Sequence, residues 1–300
     1  MEIDPQVVAI PLYMGLMALE MIELKRERSN AQRGSRPNMP RGYEPRDTAA
    51  SLSMGVGSVL IGLALAGGVL IVDLIVYNHR IFDLGDIASG SAGVGAAIAA
   101  WALLVLLDDF CYYWFHRAHH RVRFFWACHV SHHSSQRYNL STALRQPWQE
   151  ALTQMPFYLP LFLLGFTPAQ WAVVHGINLI YQFWIHTETI GTMWRPVEAV
   201  MNTPSHHRVH HGSNKQYLDK NYGGILIVFD RWFGTFEPED ERVTYGLVHN
   251  IHTYNPFRIA FHEYAAWWRD LRTVRGIRAW SVVTLGPPGW REHSSGYAGR

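Results

Sequence analysis

Cysteine is almost missing from this 300-residue sequence: only Cys111 and Cys128 occur. Two thiols exclude a disulfide framework and a thiolate metal cage, and are expected to be buried free side chains. Lysine is also scarce, three residues against 23 arginines, a bias of GC-rich genomes that suggests a bacterial source. Charge is thin, 17% of residues against about 25% in a typical soluble domain. The formal net charge is +2 with no long basic run, so nucleic acid is not an expected partner. No dinucleotide fingerprint or haem-attachment motif is present. The acidic N-terminus lacks a basic n-region, so no cleavable leader is expected.

Long uncharged runs are what the chain has instead. Residues 52–72 hold 21 positions without a charge and residues 90–107 hold 18. A membrane-spanning helix needs roughly 20 mostly apolar residues, and the glycine content of both runs suits lipid. Residues 151–187 contain no Asp, Glu, Lys or Arg and are broken by Pro156, Pro160 and the "GFTP" stretch at 165–168. They predict a helical hairpin, either two short passes or a re-entrant pair. Residues 5–19 are a borderline first span. Lys25, Arg26, Arg28, Arg33, Arg36, Arg41 and Arg46 crowd residues 25–46, which therefore face the cytosol. With that loop fixed, the segments after 107 and after 187 both return to the cytosolic side. The expected fold is all-α: a polytopic membrane protein with about four or five membrane-embedded helices under a cytosolic helical cap. A large soluble helical core is the alternative.

Histidine fills the two returning segments. Eleven of 17 lie in four windows: "HRAHH" (His116, His119, His120), "HVSHH" (His129, His132, His133), "FWIHTE" (His186) and "SHHRVHH" (His206, His207, His210, His211). On a helix, positions i, i+3 and i+4 share a face. His116 and His120 form an i, i+4 pair. His129, His132 and His133, like His207, His210 and His211, form i, i+3, i+4 triplets, each able to aim its rings at one point. With His186 these make nine imidazoles, too many for one octahedral ion and economical for two. Neutral nitrogen suits Fe, Zn, Cu or Ni rather than Mg or Ca, and Zn or Ni can substitute during purification. A solvated histidine-rich loop is the bland alternative, and the repeated spacing argues against it. His119 and His206 have no assigned role.

The boxes resemble the fatty acid hydroxylase / sterol desaturase superfamily of integral-membrane di-iron enzymes. "DDFCYYWFHRAHH", "SHHSSQRYNLSTALRQ" and the segment from "NTPSHHRVHHGSN" to "FGTFEPE" carry the likeness, from Asp108 to Glu239. "YQFWIHTE" and "DKNYGGILI" are most similar to the alkylglycerol monooxygenase-like branch. The resemblance implies two irons held by His116, His120, His129, His132, His133, His186, His207, His210 and His211. It implies O2-dependent hydroxylation of a lipid C–H bond, the lipid being a fatty acyl chain, a sterol or an alkylglycerol ether. The branch has Glu after the first box, where this sequence has Arg121. That departure separates the pterin requirement and the ether substrate from the shared chemistry. Electrons are expected from a separate donor: a reductase, a cytochrome or a pterin.

Metal-bound histidine usually donates its second N–H to a carboxylate or carbonyl. Asp109, Asn139 and Glu188 are the candidates the resemblance favours, with Asp219 and Asn202 behind them. The chain divides into N-terminal helices and basic loop (1–110), a histidine-box region including the hairpin (108–239), and a C-terminal amphipathic helix and tail (240–300). Residues 255–275 suit a helix lying on the membrane or a plain packing helix. The expected location is the bacterial cell membrane, or endoplasmic reticulum in a eukaryote, with the site facing the cytosol. A desaturase on the same scaffold and a metal-transport protein are the competing functions. Transport predicts histidines strung along a span.

Overall fold

A computed structural model describes residues 5–31, 40 and 42–289. Arg33, Arg36 and Arg41 of the expected basic loop and the last residues of the tail lie outside the described residues. Among the described residues the chain is all-helical, 65% helix with no strand. The elements are α1 (Pro5–Ala31), α2 (Pro45–Asn78), α3 (Leu84–Ala88), α4 (Val94–Arg121), α5 (Arg123–His133), α6 (Glu150–Leu163), α7 (Pro168–Trp184), α8 (Arg195–Val200), α9 (Pro204–His210), α10 (Val228–Trp232), α11 (Pro256–Leu271) and α12 (Ile277–Leu285).

The two uncharged runs become the two longest helices. α2 starts on a cap in which Glu44 accepts the Asp47 amide at 2.7 Å, with Pro45 in the first turn, both favourable at a helix start. Its 34 residues extend about 51 Å at 1.5 Å each, more than the roughly 30 Å hydrocarbon core of a bilayer. Among the described residues, α2 and α4 are the helices long and apolar enough to cross a membrane, with peak mean hydropathies of 2.7 and 1.9. Val56, Leu60, Leu63 and Ile71 on α2, and Val94 and Ile98 on α4, are exposed. Water disfavours such surface and lipid does not. α1 is helical over the borderline span and exposes Val8, Ile10, Leu12 and Met14.

The expected hairpin is α6 and α7. Their 14 and 17 residues reach only about 21 and 26 Å, less than the hydrocarbon core. Gly165 makes the break between them: its φ is +89°, and a Cβ there would lie 2.0 Å from the Phe82 carbonyl oxygen. Thr167 then caps α7 through a reciprocal pair with Gln170. Ala100, Leu104 and Cys111 of α4 pack with Tyr158 and Leu161 of α6 and Val174 of α7 in one core. Both cysteines are buried and free.

α4 runs without interruption from its apolar half into the first histidine box. Val122, extended at φ −117° and ψ 120°, ends it, and α5 turns back from there. Buried Arg123 pins that turn to α11 through Glu263 at 3.0 Å and Asp270 at 2.7 Å. α11 packs Ile259 and Ala260 against Met54 and Trp148 while exposing Phe257, Phe261 and Trp268, so it has both a packing face and an apolar outer face.

Candidate metal centre

Four elements carry the nine selected histidines to one buried place: the end of α4, all of α5, the turn after α7, and α9 with its C-cap His211. There the rings divide into two groups. His116, His120, His129, His133 and His210 form one; His132, His186, His207 and His211 form the other. Within each group the candidate ligand atoms lie within 4.8 Å of one another, and all nine residues are buried. Each triplet straddles both groups rather than aiming at one point. Its i, i+4 members turn one way and its i+3 member the other, because positions i+3 and i+4 are about 100° apart around a helix.

Backbone carbonyls set the ring tautomers. His116 Nδ1 is 2.9 Å from Tyr222 O, His210 Nδ1 is 3.0 Å from Lys220 O, His132 Nδ1 is 3.3 Å from Arg145 O and His186 Nδ1 is 2.7 Å from Gln182 O. A carbonyl only accepts, so each Nδ1 carries the hydrogen and each Nε2 presents a lone pair. His132 Nε2 and His186 Nε2 nevertheless face each other at 3.3 Å. Two lone pairs at that distance make no hydrogen bond. His207 Nε2 lies 2.9 Å from His186 Nε2, and His129 Nε2 lies 3.0 and 3.1 Å from the Nε2 atoms of His116 and His133. Nε2 of His120, His210 and His211 is buried with no hydrogen-bond partner. A cation within each group would satisfy this array, and neutral imidazole is the correct donor for a transition metal. Burial also keeps the rings neutral: it pushes His132 down to about 4 and His210 to about 3. His129, His133, His207 and His211 are lowered well below the usual imidazole value by burial first and neighbouring rings second. The cluster is therefore fit to hold metal.

Of the expected polar partners only Asp219 approaches a ring of the cluster. Asp109 accepts the amides of Ile225 and Leu226 at 2.7 and 2.9 Å and Asn178 Nδ2 at 3.2 Å. It braces the segment whose Tyr222 carbonyl holds His116, and touches no ring itself. Asn139 accepts from the Ser141 amide and hydroxyl and donates to Gly42 O, shaping the turn toward Arg145. Glu188 lines a surface cleft with Arg242, Thr244 and Tyr245. Asp219 stands 3.9 Å from His120 Nδ1 and 3.1 Å from Arg121, and Asn202 Nδ2 donates to Gly223 O and Gly224 O. His119 is bound to Phe115 O and Thr153 Oγ1, His206 to Glu198 and Met201 O; neither belongs to a group. Sequence reasoning missed the carbonyls of Gln182, Lys220 and Tyr222, because a backbone acceptor leaves no mark in residue type. It also missed the buried Asp47–Arg145 pair, where an isolated Asp beside an apolar run was the available signal.

Comparison with known proteins agrees with the histidine pattern. Residues 101–235 match the family model described as fatty acid hydroxylase. The chain is similar to the alkylglycerol monooxygenase of Homo sapiens, 41% identical over 284 residues, covering 94% of this chain and 59% of that protein. It is 49% identical to the alkylglycerol monooxygenase of Danio rerio over 190 residues, 63% of this chain and 42% of the relative. An ornithine lipid hydroxylase of Rhizobium tropici is 26% identical over 133 residues, 44% of this chain and 40% of the relative. The chain thus spans less than two thirds of these relatives' own lengths. No solved structure matches it.

Proposed function

This chain carries a fatty acid hydroxylase domain at residues 101–235, and on that premise we propose that it is a membrane-bound di-iron monooxygenase hydroxylating a lipid C–H bond with O2. The observation that carries the reading is the pair of converging, buried histidine groups, two rings of each oriented by backbone carbonyls. The relatives named alkylglycerol monooxygenase, 41 and 49% identical, favour an alkyl ether of glycerol as the substrate class. Iron, when bound, would supply the activation of O2. His116, His120, His129, His133 and His210 would hold one ion and His132, His186, His207 and His211 the other.

The chain's own contribution is positioning and exclusion. Carbonyl hydrogen bonds fix the tautomers of His116, His132, His186 and His210 before a metal arrives, which raises ligand basicity and sets orientation. Burial keeps water from the rings. α4 joins a membrane-capable segment directly to His116 and His120, so a lipid can approach along the same helix that bears the ligands. We read the molecule as multi-pass, with the site on the cytosolic side and electrons supplied by a separate reductase, cytochrome or reduced pterin. The rings gather at one place instead of lining a span, which supports a fixed centre over a transport path.

The test combines metal content and Mössbauer spectra of protein grown on ⁵⁷Fe, wild type against His132→Ala, with product analysis on an alkylglycerol supplied with O2 and reductant. About two irons with a coupled-pair spectrum, disrupted in the variant, and a hydroxylated product are expected. Metal content near zero in the wild type would sink the reading. A desaturated product would replace the hydroxylase with a desaturase.

A further inference from the structure

His132 and His186 are both tied to the N-terminal helices through buried carboxylates. Arg145, 1% exposed, donates from Nη2 to Asp47 Oδ1 at 2.5 Å and to Asp47 O at 3.2 Å, from Nε to Ser51 Oγ at 3.2 Å, and from Nη1 to Ser134 Oγ at 3.2 Å. Asp47 Oδ2 also accepts Ser135 Oγ at 2.6 Å. A guanidinium held along both edges cannot swing, so the carbonyl of the same residue is fixed. That carbonyl is the one bound to His132 Nδ1. Glu20 of α1 plays a parallel part: it accepts the Leu140 amide at 2.9 Å and the hydroxyls of Tyr43 and Thr187, and Thr187 directly follows His186. The same network reaches the five-histidine group only through Ser134 and Ser135, which follow His133, and that group is braced mainly from elsewhere. Its carbonyl acceptors at 220 and 222 belong to a segment held by Asp109 and by Asp230, which accepts the Tyr222 and Gly223 amides at 2.8 Å each.

We infer that Asp47 and Arg145 are positioning residues chiefly for the four-histidine group, so that the first turn of α2 sets that group's grip on its metal while the other group is set mainly by its own braces. The inference rests on the metal-centre reading above. Asp47→Asn keeps the side chain's size and one acceptor oxygen, and removes the charge that holds Arg145. Loss of such an outer partner weakens metal binding about 10- to 100-fold, here at one ion of the two.

The experiment measures metal per chain by mass spectrometry on detergent-purified full chain across a chelator series. Wild type is expected to release its two ions in separable steps, and Asp47→Asn to release one at 10- to 100-fold less chelator with the second step moved much less. Double variants assign the step. At a chelator level where Asp47→Asn keeps one ion, adding His207→Ala should remove nothing further, and adding His120→Ala should leave none. Ser51→Ala/Ser134→Ala loosens Arg145 without stranding its charge, and should shift the same step several-fold. This second pair decides the matter if Asp47→Asn is not recovered monodisperse. Unshifted release in both variants, or a matched shift of both ions, overturns the inference while leaving the metal centre standing. A wild type without metal overturns the centre itself.

Discussion

Gly224 lies against Asp109 and Tyr112 of α4 and Asn178 of α7, and substituting it by alanine tests how tightly the brace behind His116 is built. A Cβ there would stand 2.6 Å from Asp109 Oδ1, 2.7 Å from Asn178 Oδ1 and 2.9 Å from Tyr112 Cδ1. All three neighbours are buried, Asp109 and Asn178 completely, so none can swing into solvent. To reach an ordinary 3.4 Å contact, Asp109 Oδ1 must retreat by about 0.8 Å. Its bond to the Ile225 amide, now 2.7 Å, then passes beyond good hydrogen-bond length unless the segment follows. Overpacking of this kind costs about 1–3 kcal/mol, and one buried amide left unpaired costs about 1–3 more.

The expected loss for Gly224→Ala is therefore about 3 kcal/mol, or roughly a hundredfold in the folded-to-unfolded ratio. Denaturant unfolding in detergent, followed by tryptophan fluorescence, would measure it. Gly62→Ala is the control: it lies inside α2 and nothing stands within 4 Å of its Cβ position. That change should be neutral or stabilising by up to about 1 kcal/mol. Equal stabilities for the two variants would refute the close-packing argument.

His119→Asn should keep both metal ions and cost only about 1 kcal/mol, since His119 bonds Phe115 O and Thr153 rather than facing either group; loss of an ion on metal analysis would redraw the site. Arg208→Met should destabilise by about 3–5 kcal/mol in a melting experiment, because it strands Glu239, bound at 2.6 and 2.8 Å, and frees the carbonyls of Thr187 and Ile190. Chelation should lower the melting temperature and reloading restore it. A ligand at a thousandfold its Kd contributes about 4 kcal/mol per site, so an unchanged melting point after verified metal removal would refute the cage.

The sequence was most legible where chemistry repeats. Eight histidines at helical spacing, joined by His186, announce a shared cage, and all nine meet in the folded chain. Sharing each triplet between two groups was not legible, because spacing gives the angle between neighbouring rings and not which neighbour faces across. Asp109 shows a different limit. It lies on the His116 face, but seven residues separate them, about 10.5 Å of helix rise, too far for a carboxylate to touch the imidazole. Its side chain instead meets amides 116 and 117 positions later in the chain, a contact that only the tertiary fold creates. Asp47 and Arg145 are likewise 98 positions apart, and no local pattern links them.

Helix α4 bears on which C–H bond the proposed reaction would reach. Its uncharged run ends at Leu107 and is followed by Asp108 and Asp109. Trp114 follows, partly exposed at 38%, where an aromatic belt would mark the interface. His116 then lies about 3 Å beyond Trp114 at 1.5 Å per residue, and His120 about 9 Å. Ligands at that depth stand beside lipid headgroups. The carbon attached to a glycerol ether oxygen lives at the same level, so it can meet the cage with its chain still in the bilayer. A carbon in the middle of an acyl chain would have to be drawn some 10–15 Å out of the hydrocarbon, and each buried CH2 moved into water costs about 0.8 kcal/mol. On the proposed function, the placement of the ligands on α4 thus favours oxidation close to the headgroup over oxidation in mid-chain.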